Sequence, residues 1–226
     1  MKEWIQRRKI NQASQDGGTL NSFCYTLMFI AFMQIKHGLP SLQRLCCVPH
    51  ISTTLTGVKP TTTCLSCRNP LPQEPSWFFE DIHELKKVYQ SDKDTIAELF
   101  LGFLRFYAFE LNYIQQVVSV RVGALITREE KGWPVDLSCT NTQLIKLLCV
   151  EDPFDLSRNV ATSAKTWVVE GIRWEFERAV REFKTNGLAG LLEKYISPRD
   201  ITEFMHQYPW SLNNDEKPLR GSSGCL

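Results

Sequence analysis

The stretch "SDKDTIAELFLGFLRFYAFELN", residues 91–112, decides the fold class. Ile96, Leu99, Phe100, Phe103, Leu104 and Tyr107 recur at the spacing that puts them on one face of an α-helix. Acidic residues gather at its start, where they favour the N-terminal dipole and can cap free amides. Toward the N terminus, the apolar run "TLMFIAFM" (Thr26–Met33) predicts a core helix over roughly Leu20 to Ile35. Thr19 or Asn21 can cap it, and His37-Gly38-Leu39-Pro40 ends it. Before it, Trp4 and Ile5 share one side of a short helical pattern among Lys2, Arg7, Arg8 and Lys9. A modest helix or turn is expected in "FEDIHELKKVYQ".

Toward the C terminus, "QQVVSVRVGALI" is β-branched and partly alternating, which predicts a strand or hairpin. "KLLCV" reads as a further short strand. From Ser157 the pattern turns helical through "SAKTWVVEGIRWEFERAVREF", with Val168, Ile172, Phe176 and Val180 on one face, and "NGLAGLLEKYI" adds a short helix. Residues 44–80 are rich in Thr, Pro and Ser without a sustained period, so an insertion or long loop is expected there. The periodicity fades after Ser197. The chain therefore reads as one mainly α domain with a few short strands over 1–196, followed by a mobile tail, 197–226.

The 226 residues are 43% hydrophobic, enough for a sizeable core, and the net charge is +1. No overall basic field advertises nucleic acid, so any polyanion site must be local. The longest apolar run is too short to span a bilayer, and no membrane association is expected. Eight cysteines, including the adjacent Cys46-Cys47, and no signal peptide favour free thiols in a reducing compartment, the cytoplasm first and the nucleus as alternative. Cys24 and Cys149 read as buried thiols. Cys46, Cys47, His50, Cys64 and Cys67 have the residue types for a structural zinc, but with only one C-x2-C pair the pattern is incomplete, and no metal ligand is assigned.

The segment "LCVEDPFDLSRNV", Leu148–Val160, carries the chemistry. Pro153 disfavours helix at Asp152 and fixes its own φ, which makes a rigid turn. Phe154 is expected to anchor that turn in the core, and Asp155 or Ser157 can cap the helix that follows.

Three blocks in order give a resemblance: "KEWIQRRKIN" with "GGTLNSFCYTLMFIAFMQ" and "LPSLQ", then "LFLGFLRFYAFELNY" with "VVSVRVGALITREEKGW", then "LCVEDPFDLSRNVA". Together they resemble the central and PAP-associated region of non-canonical poly(A) and poly(U) polymerases, over roughly residues 2 to 185. The resemblance implies the helical central domain of a polymerase-β-type nucleotidyltransferase, which holds the base and sugar of an incoming UTP or ATP at an RNA 3′ end. Its catalytic α/β domain would hold Mg2+ or Mn2+ on a Gly-Ser turn followed by Asp-x-Asp. That pattern is not found here. Asp92 and Asp94 have the spacing without the Gly-Ser turn and read as helix caps. The catalytic domain is thus expected to be largely absent from this chain, and no catalytic residue is assigned. A missing domain in cis or an active paralogue would supply it. The alternative is a non-catalytic nucleotide- or RNA-binding module.

The family's positions assign Asp152 and Asp155 to the base edge and Ser22 and Phe23 to phosphate or sugar binding and base stacking. On residue pattern alone Phe23 reads first as a core residue of an apolar helix. Lys2 matches a lysine facing the triphosphate; a second falls at Gln6, leaving Arg7 or Arg8 as substitutes. Uridylyltransferases of this type commonly carry His where this chain has Arg158, a permanent donor that cannot accept a hydrogen bond. Arg158 can instead pair with Asp155 or face solvent. Arg121, Arg128 and Lys131 are candidate RNA phosphate contacts, and Trp133 is read as packing.

Overall fold

The computed structural model describes residues 1–12, 18–45, 76–89, 94–135 and 146–194. Most of the expected 44–80 insertion, the Cys/His group within it, Asp92 and the 197–226 tail lie outside the described residues.

Among those described, about half are helical and two strands form a small sheet. The helices are α1 (Lys2–Arg7), α2 (Ser22–His37), α3 (Ile82–Val88), α4 (Ile96–Arg105), α5 (Arg128–Lys131) and α6 (Thr166–Leu191). Strands β1 (Gln116–Ser119) and β2 (Ala124–Thr127) form the expected antiparallel hairpin, with Val118 opposite Leu125. α2 starts on Asn21, whose side-chain oxygen accepts from the Cys24 amide at 2.7 Å, and stops at Gly38 in the left-handed region, φ 67°. Both ends agree with the pattern reading.

α4 is capped differently from expectation. Thr95 accepts from the Glu98 amide and Glu98 accepts from the Thr95 amide, a reciprocal capping box. Asp94 instead lies 3.8 Å from His37. The helix then widens into a π turn, Phe106–Glu110. α6 begins at Thr166, nine residues after the helical pattern starts, because residues 157–165 are held in turns. It runs into the short helix expected near its end, and the two are separated only by a break at Gly187 (φ 61°, ψ −150°). "KLLCV" contributes one parallel bridge, Val150 to Val118, rather than a full strand.

The core is aromatic. Phe103 packs against Phe29, Phe32, Phe100, Tyr107 and Phe176, and Trp4 stacks on Phe176 at 5.8 Å. The buried phenols are satisfied by backbone carbonyls: Tyr25 donates to Ile10, Tyr107 to Met28 and Tyr113 to Tyr107. α1 is tied to α6 by a buried bidentate pair, Arg8 to Glu175, with both contacts at 2.8 Å. Arg178 shares the same carboxylate at 3.1 Å.

Candidate nucleotide-binding site

The loop after Val150 is closed on itself by main-chain bonds. The Asp152 amide donates to the Arg158 carbonyl at 3.0 Å, and the Val160 amide to the Val150 carbonyl at 2.9 Å. At its neck the Asn159 side chain accepts from the Val150 and Ala161 amides and donates to the Leu148 carbonyl. One bridge joins the neck to β1, where the Val118 amide donates to Cys149 and the Glu151 amide donates to Val118. The loop therefore extends from the sheet edge as a fixed unit.

Its three carboxylates occupy three environments. Glu151 is buried and accepts from the Ser119 hydroxyl and the Lys131 ammonium. Asp152 is 6% exposed; one carboxylate oxygen accepts from the Phe154 and Asp155 amides at 3.0 and 3.3 Å. Its other oxygen lies 3.8 Å from the Arg158 guanidinium. Asp155 is exposed and accepts from the Ser157 hydroxyl and amide, at 2.6 and 3.1 Å, which holds its carboxyl below the usual range. The Pro153 carbonyl accepts from Gln43 and Arg121, at 2.9 and 3.2 Å.

Several expectations change here. Phe154 does not anchor the turn; it is 52% exposed, and hydrogen bonds at Asp152, Pro153 and Asn159 hold the turn instead. Neither Asp155 nor Ser157 caps α6, whose N-cap position is Lys165. Arg158 approaches Asp152 with a side chain 60% exposed.

At the start of α2, Ser22 and Phe23 both face outward. The Ser22 hydroxyl accepts from Asn11 at 2.9 Å. Phe23 is 43% exposed rather than core, because Cys24, Tyr25, Met28, Ala31 and Phe32 take the buried face. Lys2 is exposed on α1. Arg8 does not substitute in a phosphate grip, since it is buried against Glu175, and Arg7 pairs with Glu3. The structure thus brings Asp152, Asp155 and Arg158 together on one loop, with Arg121 at its Pro153 carbonyl. Among the described residues, no hydrogen bond or ion pair runs from Lys2, Ser22 or Phe23 to that loop.

Two of the three basic RNA candidates are not surface groups. Arg128 is buried and donates to the Tyr113, Lys146 and Leu147 carbonyls, so it organises backbone. The Lys131 side chain is 10% exposed; it pairs with Glu151 and lies 4.8 Å over the Trp133 ring. Trp133 packs on the Val117, Ile126 and Cys149 cluster. The thiols of Cys24 and Cys149 are free, and burial pushes both above the usual thiol range.

Residues 95–158 match the family model described as "Cid1 family poly A polymerase". Poly(A) RNA polymerase cid13 of Schizosaccharomyces pombe is 33% identical over 185 residues, covering 80% of this chain and 28% of that protein. Terminal uridylyltransferase cid1 of the same organism is 29% identical over 191 residues, covering 80% of this chain and 42% of its own length. This chain belongs to the Cid1-type family of non-canonical poly(A)/poly(U) polymerases. The solved structure of Cid1 in complex with its short product ApU superposes with a TM-score of 0.58 at 26% identity, over 86% of this chain and 56% of that one. The chain thus spans less than half of these two relatives and about half of the solved Cid1 chain.

Cid1-type enzymes are nucleotidyltransferases, which need divalent metal held by clustered carboxylates. Among the described residues, no group of three or more His, Cys, Asp or Glu side chains could hold a metal ion. The described residues do not fit that centre. No described helix is long and apolar enough to cross a membrane.

Pattern reading missed Glu151, Asn159 and Gln43. Glu151 had a usable signal: a carboxylate closing an apolar strand requires a nearby cation. Gln43 had none, since its partner lies 110 residues away.

Proposed function

We propose that this region of a Cid1-type polymerase binds the base and sugar of an incoming UTP or ATP during nucleotide addition to an RNA 3′ end. A catalytic domain supplying the Mg2+ or Mn2+ ligands, in cis or in an active paralogue, completes the reaction. The observation that supports this is Asp152, a nearly buried carboxylate with one oxygen fixed by its own turn and the other beside Arg158. A carboxylate only accepts and a guanidinium only donates. Side by side they complement the uracil N3–H and a neighbouring carbonyl, or the adenine amino group and its ring nitrogen. Asp155 adds a second acceptor at the loop's exposed edge. Phe23 offers a ring face for stacking, Ser22 a hydroxyl for sugar or phosphate, and Lys2 a cation for the triphosphate. Arg121 remains the candidate RNA contact, in the cytoplasm or nucleus.

Equilibrium binding of UTP and ATP to the full chain tests this reading. D152N is expected to weaken the preferred nucleotide by at least ~10-fold, the scale of one charged hydrogen bond. F23A removes a stacking face with a contribution of ~1–3 kcal/mol. Unchanged affinity in both variants overturns the site. Extension of labelled RNA by the same protein separates a polymerase from a binding module.

A further inference from the structure

Beside the base-reading loop lies a buried charged group to which no role has been given. Glu151 immediately precedes Asp152, and its carboxylate faces away from the loop into the sheet, where Ser119 and Lys131 both donate to it. Glu151 is 4% exposed and Ser119 fully buried. Lys131 comes from the last turn of α5, and its ammonium also lies over the Trp133 ring. α5 is itself fixed by a capping box, in which Thr127 and Glu130 satisfy each other's amides. The ammonium is therefore delivered from a rigid element.

We infer that Lys131 and Glu151 form a clamp that sets the position of the Asp152 carboxylate, so that nucleotide affinity depends on a pair that does not touch the nucleotide. The inference rests on the base-binding role given to Asp152. The geometry carries it in three steps. Asp152 follows Glu151 in the chain, so a shift of the Glu151 side chain is transmitted to its neighbour through one peptide unit. The opposite side of the loop is fixed independently, at the Pro153 carbonyl by Gln43 and Arg121. The neck is fixed by Asn159. The Glu151 side chain adds a third attachment, and among the described residues it is a buried ion pair rather than a bond to backbone. A buried carboxylate that loses its cation either rotates toward water or takes up a proton. Rotation here pulls on Asp152. Lys131 and Glu151 are positioning residues, distinct from the groups proposed to contact the base.

A mutant cycle in the full chain tests this, with UTP and ATP as binding probes and thermal melting followed in parallel. K131M is expected to weaken the nucleotide that wild type prefers by ~10-fold, and K131R to restore most of it. In a D152N background, K131M is expected to add no further loss, because Lys131 acts through Asp152. The K131M/E151Q double variant removes both charges; it is expected to recover the melting temperature while keeping the affinity loss. Losses from K131M and D152N that multiply independently overturn the inference. So does affinity that returns with stability in K131M/E151Q, or K131M binding like wild type. If wild type binds neither nucleotide, or D152N binds like wild type, the site reading itself fails and the clamp falls with it.

Discussion

Asp155 and Asp152 are three residues apart, yet they are held by different partners, and this gives separable predictions. Asp155 is fully solvated, and its low pKa comes first from the Ser157 side chain and then from the Ser157 amide. These bonds favour the charged form. S157A removes the larger contribution, so the Asp155 carboxyl is expected to titrate at higher pH than in wild type, nearer the ordinary carboxylate range. A carboxyl-carbon NMR titration reads this directly, and an unchanged midpoint contradicts the assignment. The sign for stability follows from the depressed folded value. The contribution is present above the unfolded pKa and is lost as pH falls through the folded one, and S157A moves that loss to higher pH. Asn159 acts differently: one amide group satisfies two backbone N–H groups and one carbonyl at the neck of the loop. N159A leaves these half-buried groups without their partner and is expected to destabilise by about 2–3 kcal/mol. Urea unfolding measures this.

Legibility differs from one element to the next, for physical reasons. The two ends of α2 were readable because Asn21 and Gly38 act on the residues next to them. The buried face of α4 was readable because periodicity is local. The cap of α4 was also written in sequence, as the Thr95-x-x-Glu98 box, but the neighbouring aspartates drew the reading away from it. The start of α6 was misplaced because local pattern cannot report a competing loop: residues 157–165 lie in turns, and the Asn159 side chain bonds back to Val150 and Leu148. The same limit applies to the site. Asp152 and Pro153 announce a turn, whereas Gln43, Arg121 and Lys131 hold it from distances no sequence window spans. At the other end of α6, Gly187 adopts a conformation nearly confined to glycine, and a Cβ there would meet nothing. G187A is therefore expected to destabilise by about 1–3 kcal/mol through backbone strain alone. A G187A melt like wild type would show that the helix joins smoothly without the break.

The chain's first and last described helices are held together by charge inside an aromatic core. Arg8, the C-cap residue of α1, reaches Glu175 on α6 across 167 residues, and Arg178 shares that carboxylate. Arg8 also donates to the Glu193 carbonyl at 3.0 Å, beyond the end of α6. The same α1 carries Trp4, stacked on Phe176, and Lys2, the proposed phosphate contact. Docking of α1 therefore couples the core to the proposed phosphate contact. Removing one partner of a buried ion pair costs about 3–5 kcal/mol, because the other charge is left unpaired. The three-membered arrangement orders the variants. R8M leaves Glu175 still paired with Arg178 and is expected near the low end, about 3 kcal/mol. E175M leaves both Arg8 and Arg178 without their carboxylate and is expected to be the more damaging change. Urea unfolding of the two variants gives the order. If R8M is at least as destabilising as E175M, Arg178 does not share the carboxylate as the geometry indicates.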